Sequence, residues 1–312
     1  MNHEVKKNPS ILITATPMKD VVELGFSFDL NQCLDDISSA MWRVFMTWRE
    51  THLSDVNEGD AIAQCMLQMM ILKGKTLKSM LAGVPLRDEA PMGKKILDIP
   101  SLATIIRSIY ELAFLFHNIF ILSDSKEERE ILMYIWKIRG FNNRTNQEVP
   151  EEFREKRDAE VEDINEYKRK TKGIVDTLNI LKPAKQALYK AIDSDSCMMS
   201  GFRFEKDDND CIVKFSKVSF TQSNALFEHN NYAILYNYLS SLSHPSFLSV
   251  LQFGQMYNED KDKDFSDSFL WTCCICMSKF IRDFCMTISD GQKIKEDIMG
   301  NGWTTINLFG NL

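Results

Sequence analysis

Glycine and proline are scarce in this sequence, with 13 and 8 copies in 312 residues. These two residues build most tight turns, so their scarcity disfavours a β-rich fold and favours helices joined by a few loops. The sequence also shows no internal repeat and no alternation of strand patterns with helix patterns, as a doubly wound sheet would require. The sequence therefore predicts an all-α fold, a multi-helix bundle.

The sequence also lacks an excess of basic residues, and its net charge is −7. Broad nucleic-acid binding needs a basic surface, so the balance of charge argues against it. Hydrophobic residues make up 44% and charged residues 26%, which is typical of a globular protein with a packed core. We therefore expect one main helical domain over residues 1–312 in a soluble, cytoplasmic protein, with another protein or a second copy of the chain as candidate partner.

Long uninterrupted apolar runs are missing as well. The most apolar span, residues 101–122, carries Arg107, Glu111 and other polar side chains. Charged groups at the centre of a bilayer are costly, so this span predicts a buried core helix rather than a membrane span. Near the N-terminus, the apolar run at residues 11–13 is too short for a secretory signal.

The sequence contains no complete metal-binding or nucleotide-binding motif. Eight cysteines lie mostly within apolar helical patterns. Cys273 and Cys276 are spaced like metal ligands, but no histidine follows His244 and no second pair accompanies them, so buried reduced thiols are predicted. The Gly-Lys-Thr segment at residues 74–76 resembles the end of a phosphate-binding loop but lies in a helical run instead of after a strand. No cofactor and no metal are predicted.

Apolar residues recur at helical spacing over most of the chain. This periodicity predicts helices over residues 31–49, 60–81, 101–122, 126–139, 224–244 and 269–288. Turn-forming or acidic residues predict loops or linkers over residues 83–95, 140–150 and 257–268. Alternating charges at 151–172 indicate a solvated helix or helical arm. Residues 194–223 contain two short alternating runs, which predict a β-hairpin or irregular insertion, and residues 289–312 lack periodicity, which predicts a mobile tail.

The first candidate site is a polar stripe on the apolar helix over residues 101–122. Arg107, Glu111 and Asn118 fall at positions i, i+4 and i+11, so they project within roughly 40° of one another at about 100° per residue. Such side chains must find internal partners or face a cavity. Two interpretations follow: a buried Arg–Glu pair that holds helices in register, or part of a functional site.

The second candidate site is the end of a tyrosine-rich and serine-rich helix. Pro245 disfavours helical geometry at the preceding residue, so His244 is expected at the helix C-terminus. The partial negative charge of that terminus favours a protonated imidazole. His244 could therefore simply cap the C-terminus of this helix. It could equally act as a pH-tunable acid or contact a phosphate. Tyr236 and Ser243 share one stripe of the same helix.

Taken together, these segments resemble a family of uncharacterised bacterial helical proteins, known as a domain of unknown function. The shared pattern is Arg-x-x-x-Glu on one helix and, far later, Tyr-x-x-Leu-Ser-x-x-x-His-Pro-Ser. It covers residues 98–144 and 232–253 and falls on Arg107, Glu111, Tyr236, Ser240 and His244. The resemblance implies a binding site where the two helices meet, formed by these residues with Ser243 and Asn118, but it supplies no activity.

The sequence also has a more distant resemblance to the HEPN helical bundles, some of which are metal-independent ribonucleases. Those enzymes carry an arginine and a histidine on one helix with about four to six residues between them. No pair here has that spacing, since Arg49–His52 is too close and Arg107–His117 too far. The residues thus fit two functions. One is a partner-binding or defence-associated bundle with a polar pocket at the helix junction. The other is a ribonuclease. In the ribonuclease, His244 would act as general acid or base, Arg107 would hold a phosphate and Glu111 would orient one of them.

These interpretations share one geometric prediction. His244, or the serines before it, should lie within hydrogen-bonding reach of Arg107 and Glu111, because an Arg and a Glu on an apolar helix need further partners. If the pair is buried, Glu111→Ala should cost about 3–5 kcal/mol. An exposed pair would cost at most about 1 kcal/mol.

Overall fold

The structure is a computed structural model. It describes residues 29–52, 56–85, 95–222, 231–247, 249–251, 253–254, 262–288, 290–298 and 300–311. In chain order the helices are α1 (Leu30–Thr51), α2 (Glu58–Met80), α3 (Ile99–Phe120), α4 (Lys126–Thr145), α5 (Arg154–Thr177), α6 (Lys182–Ile192), α7 (Asn231–Ser243), α8 (Asp262–Thr287), α9 (Gly291–Ile298) and α10 (Asn301–Gly310). Strand β1 (Val84–Pro85) pairs with β2 (Lys95–Ile96), and β3 (Gly201–Lys206) pairs with β4 (Ile212–Val218). The predicted all-α bundle with a small hairpin insertion is confirmed.

Helix α8 is the centre of the bundle. Residues 269–278 are all buried, because α1, α2, α3, α9 and α10 pack around this helix. A helix that is apolar on every side belongs in the core of a protein. Burial raises the pKa of Cys276 to about 12. The thiols of this helix are therefore core side chains.

Helix α3 carries most of the polar residues singled out above. Asp98 caps its N-terminus by accepting a hydrogen bond from Ser101 N at 3.2 Å, and Pro100 occupies the first turn, where its missing N–H costs nothing. Its length and composition would allow α3 to cross a membrane, but more than half of its most apolar stretch is buried against α8, α7 and α2. This burial is compatible with a soluble protein.

A second layer covers the C-terminal half of α3. Helices α4 and α5 pack along each other, and α6 packs against the hairpin. The charge-rich segment predicted as a solvated helix is α5, which buries only Glu160, Ile164, Thr171 and Val175. The hairpin lies at β3–β4, within the predicted insertion. Its first strand contacts α3.

The predicted helices differ from the structure in several places, and α6 was not predicted. Helix α4 continues to Thr145, through residues that were predicted as a break, and α8 begins at Asp262, inside the predicted acidic linker. The predicted irregular tail contains α9 and α10, and α10 buries Trp303 and Phe309 in the core. Tertiary packing thus overrides weak local helix propensity here. The predictions for residues 1–28, 86–94, 223–230 and 255–261 lie outside the described residues.

Candidate functional site at the α3–α7 junction

Helix α7 lies along α3 and ends just before His244. The helix stops at Ser243 because Pro245 cannot continue it. The His244 carbonyl then accepts hydrogen bonds from Ser246 N at 2.7 Å and from Ser249 Oγ at 2.6 Å. These bonds fix the backbone of the turn, so the imidazole is presented from a defined position.

Four side chains from the two segments form one hydrogen-bonded cluster. Arg107 Nε donates to Glu111 Oε1 at 2.9 Å, and the Tyr236 hydroxyl donates to the same oxygen at 2.8 Å. Arg107 Nη1 lies 3.3 Å from His244 Nε2. The predicted reach between His244 and the Arg107–Glu111 pair is confirmed. We call these four residues the junction cluster.

The junction cluster is only partly shielded from solvent. The Arg107 and Glu111 side chains are 27% and 28% exposed, and His244 is exposed. Burial opposes the charged guanidinium, but the hydrogen bond and charge of Glu111 outweigh it and raise the pKa of Arg107. Burial, followed by the hydrogen bond to Glu111, raises the pKa of Tyr236. Because water reaches the cluster, the Arg107–Glu111 pair is neither sealed in the core nor fully exposed.

The contact between Arg107 and His244 has a clear electrostatic consequence. Arginine keeps its proton in proteins, so Arg107 donates in this contact and an unprotonated His244 Nε2 accepts. A protonated ring would instead place two cations side by side. An anion that contacts both residues would relieve that repulsion and accept charge-assisted hydrogen bonds. The geometry therefore suits uptake of an anionic group.

Two aromatic rings pack against Tyr236, and the sequence analysis identified neither of them. The Tyr236 ring lies 5.4 Å from that of Tyr110 and 5.5 Å from that of Phe220, between ring centres. The Tyr110 hydroxyl donates to the Phe220 carbonyl at 3.1 Å. Tyr110 follows Arg107 by three residues on α3, and that helical spacing could have indicated it. Phe220 comes from a separate segment, so the sequence offered no comparable signal.

Asn118 does not join the junction cluster, although it lies on the same stripe of α3. Its side chain is buried, donates from Nδ2 to the Phe202 carbonyl at 2.7 Å and accepts from Phe202 N at 3.0 Å. Eleven residues of helix place it about 16 Å along the axis from Arg107. The stripe therefore has two parts, with Asn118 clamping the hairpin at its buried end.

The predicted serines also stay outside the junction cluster. Ser243 Oγ donates to the Ser240 carbonyl at 3.1 Å, within its own helix. Among the described residues, neither serine is a hydrogen-bond partner of Arg107 or Glu111. The Ser243 hydroxyl therefore stabilises the last turn of α7.

A second polar contact of α3 was not predicted. His117 Nδ1 lies 2.8 Å from Asp283 Oδ2 on α8, and both side chains are largely buried. The two residues are far apart in sequence, so spacing could not reveal the pair. It connects α3 to the central helix.

The chemistry of the junction cluster is that of acid–base groups and a fixed cation. Histidine is the residue type most often used for proton transfer, and Arg107 offers donors suited to phosphate or carboxylate. Within the described residues, no group of three or more side chains could hold a metal ion. Comparison of the chain with protein-family models, curated proteins and solved structures finds no match.

Proposed function

We propose that this protein is a partner-binding helical bundle whose junction cluster binds an anionic group of a protein partner. The observation that carries the proposal is the 3.3 Å contact between Arg107 and His244 on an open surface. An anion held by both residues would make hydrogen bonds assisted by charge, which are stronger than neutral ones. Glu111 and Tyr236 orient the guanidinium for this role.

The residues after His244 favour a protein segment as the partner. Phe247 is 84% exposed, and Val250, Leu251 and Phe253 are exposed as well. Contiguous patches of exposed apolar side chains commonly mark an interaction surface, and Phe247, Val250 and Leu251 lie at positions i, i+3 and i+4. A partner segment with a carboxylate or phosphate beside apolar side chains complements both features.

A cytoplasmic location and membership of the bacterial family described above are part of this proposal. All eight cysteines are free, which suits a reducing compartment. Four of the five residues of the family pattern lie in the junction cluster: Arg107, Glu111, Tyr236 and His244. A role in bacterial defence would accord with the distant HEPN likeness.

A metal-independent ribonuclease is the second candidate. The observation in its favour is that an exposed histidine contacts an arginine, so a proton-transfer group and a phosphate-binding group are adjacent. Here His244 would move the proton, Arg107 would hold the phosphodiester and Glu111 would orient Arg107 through its Nε bond.

Histidine-ring NMR signals test the proposal directly. Inorganic phosphate is titrated into the wild-type protein, Arg107→Gln and the control Lys126→Gln, whose side chain is exposed on α4. The His244 signals, assigned with His244→Asn, should shift saturably. In Arg107→Gln, the loss of one charge-assisted bond should weaken phosphate binding about tenfold. Lys126→Gln should bind phosphate as the wild type does. An unresponsive His244, or equal behaviour of both variants, would overturn the proposal.

A parallel assay addresses the second candidate. Single-stranded RNA is incubated with the wild-type protein and with His244→Asn. Cleavage by the wild type alone would establish the ribonuclease. Intact RNA in both samples, together with saturable phosphate binding, would leave the binding function.

A further inference from the structure

A surface groove lies between α1 and α2, and it contains no residue of the junction cluster. Its volume is about 300 Å³. The lining residues are Leu34, Asp35, Ser38, Ser39, Trp42 and Arg43 from α1, and Gly74, Lys75 and Lys78 from α2. Pockets for small organic ligands begin at about this size.

Gly74 forms part of the groove for a packing reason. A Cβ atom at this position would lie 2.8 Å from the Met277 side chain of α8 and 3.6 Å from Ser38 Oγ. Glycine in a helix interior costs roughly 1 kcal/mol relative to alanine, and here it lets α2 approach the core closely. The absence of a side chain leaves Ser38 at the floor of the groove.

The groove is basic, although the protein is acidic overall. Three cationic side chains line it, against the single acidic side chain of Asp35, which is paired with Lys78. Within the part of the chain that the structure describes, Arg43 and Lys75 form no ion pair. Two cations of the groove are therefore available to an anion.

The groove also presents an aromatic surface. The Trp42 side chain is 46% exposed, and Lys75 Nζ lies 5.5 Å from the centre of its ring. Tryptophan is a large apolar residue that is usually well buried, and an accessible indole ring can stack on a planar ligand. Lys75 would then leave the ring and contact the anion.

We propose that this groove binds a phosphate ester of mononucleotide size. The aromatic ring of the ligand lies against Trp42, and its phosphate is held by Lys75 and Arg43, with the Ser39 hydroxyl beside it. Gly74 and Lys75 belong to the Gly-Lys-Thr segment considered above. That segment is helical, so its contribution is the charge of the lysine side chain and not a cradle of backbone amides.

Isothermal titration calorimetry with AMP and UMP tests the inference on the full chain. Wild-type protein should bind at least one of them with an affinity that depends on the groove residues. Lys75→Gln should weaken binding at least about tenfold, because it removes a charge-assisted bond to the phosphate. Lys126→Gln is the matched control outside the groove and should bind as the wild type does.

Ligand fragments separate recognition of the ring from recognition of the charge. Adenosine and inorganic phosphate should each bind at least about tenfold more weakly than AMP, since each lacks one of the two contacts. Trp42→Leu should remove the advantage of AMP over ribose 5-phosphate. The inference is overturned if neither nucleotide binds, if inorganic phosphate binds as tightly as AMP, or if Lys75→Gln and Lys126→Gln behave alike. Should Trp42→Leu fail to fold, the Lys75→Gln comparison decides.

Discussion

Replacing Glu111 by alanine removes the one acceptor oxygen that Arg107 and Tyr236 share in the junction cluster. Two losses follow: the ion pair with the guanidinium and the hydrogen bond from the tyrosine hydroxyl. An exposed ion pair contributes at most about 1 kcal/mol, and a hydrogen bond contributes about 0.5–1.5 kcal/mol. Because the pair is about a quarter exposed, the loss lies between the exposed and buried limits. We predict a decrease of about 1–2 kcal/mol in the free energy of unfolding.

Urea denaturation of four proteins measures this value: wild type, Glu111→Ala, Tyr236→Phe and the double variant. The two single effects should be non-additive by about 0.5–1 kcal/mol, since each substitution removes the same hydrogen bond. Glu166→Ala is the control, because Glu166 forms helix-surface ion pairs with Arg169 and Lys170 on α5. It should change the midpoint little.

Two results would refute this reasoning. A loss of about 3 kcal/mol or more for Glu111→Ala would mean that the pair is sealed from water, as for a stranded buried charge. An effect equal to that of Glu166→Ala, with strict additivity in the cycle, would mean that Tyr236 and Glu111 do not share a bond in solution.

Three further predictions concern the rest of the fold. Asn118→Ala should lower the free energy of unfolding by about 2–4 kcal/mol in urea, because it strands a buried amide and carbonyl of the hairpin; less than about 1 kcal/mol would contradict the clamp. Iodoacetamide should label exposed Cys65 and Cys197 before buried Cys276 and Cys285, as peptide mass spectrometry will show; equal labelling would contradict their burial. Burial raises the pKa of Cys276 and Cys285 to about 12, so the unfolded chain loses these protons first as the pH rises. The free energy of unfolding should therefore keep its full value at pH 8 and fall above about pH 9, by up to about 1.4 kcal/mol per pH unit for each thiol. A urea midpoint that does not change with pH would refute this prediction.

The sequence was sufficient to predict the contact between α3 and the end of α7. Arg107 and Glu111 were conspicuous because they interrupt an apolar helix, and His244 because Pro245 ends its helix directly after it. Buried or half-buried polar groups need partners, and this requirement, together with the shared motif pattern, linked two distant segments. Their degree of burial could not be predicted, because it depends on how closely α7 covers α3.

Other features depend on tertiary contacts that leave little trace in the sequence. The partner of Asn118 is a backbone amide and carbonyl, which carry no residue signature, so the asparagine was assigned to the binding site. Helix α10 was missed because its segment contains glycine and asparagine and has low helix propensity. Gly302 is needed there, since a Cβ atom would lie 2.9 Å from the Asp36 carbonyl of α1. Burial of Trp303 and Phe309 stabilises the helix.

The central claim is that Arg107 and His244 bind one anion together. Isothermal titration calorimetry of inorganic phosphate with the wild type, Arg107→Gln, His244→Asn and the double variant tests it most directly. If both residues contact the same anion, each single substitution should weaken binding about tenfold, and the double variant should be only slightly weaker than either, a coupling of at least about 1 kcal/mol. Independent, additive losses, or wild-type affinity in both single variants, would contradict the claim.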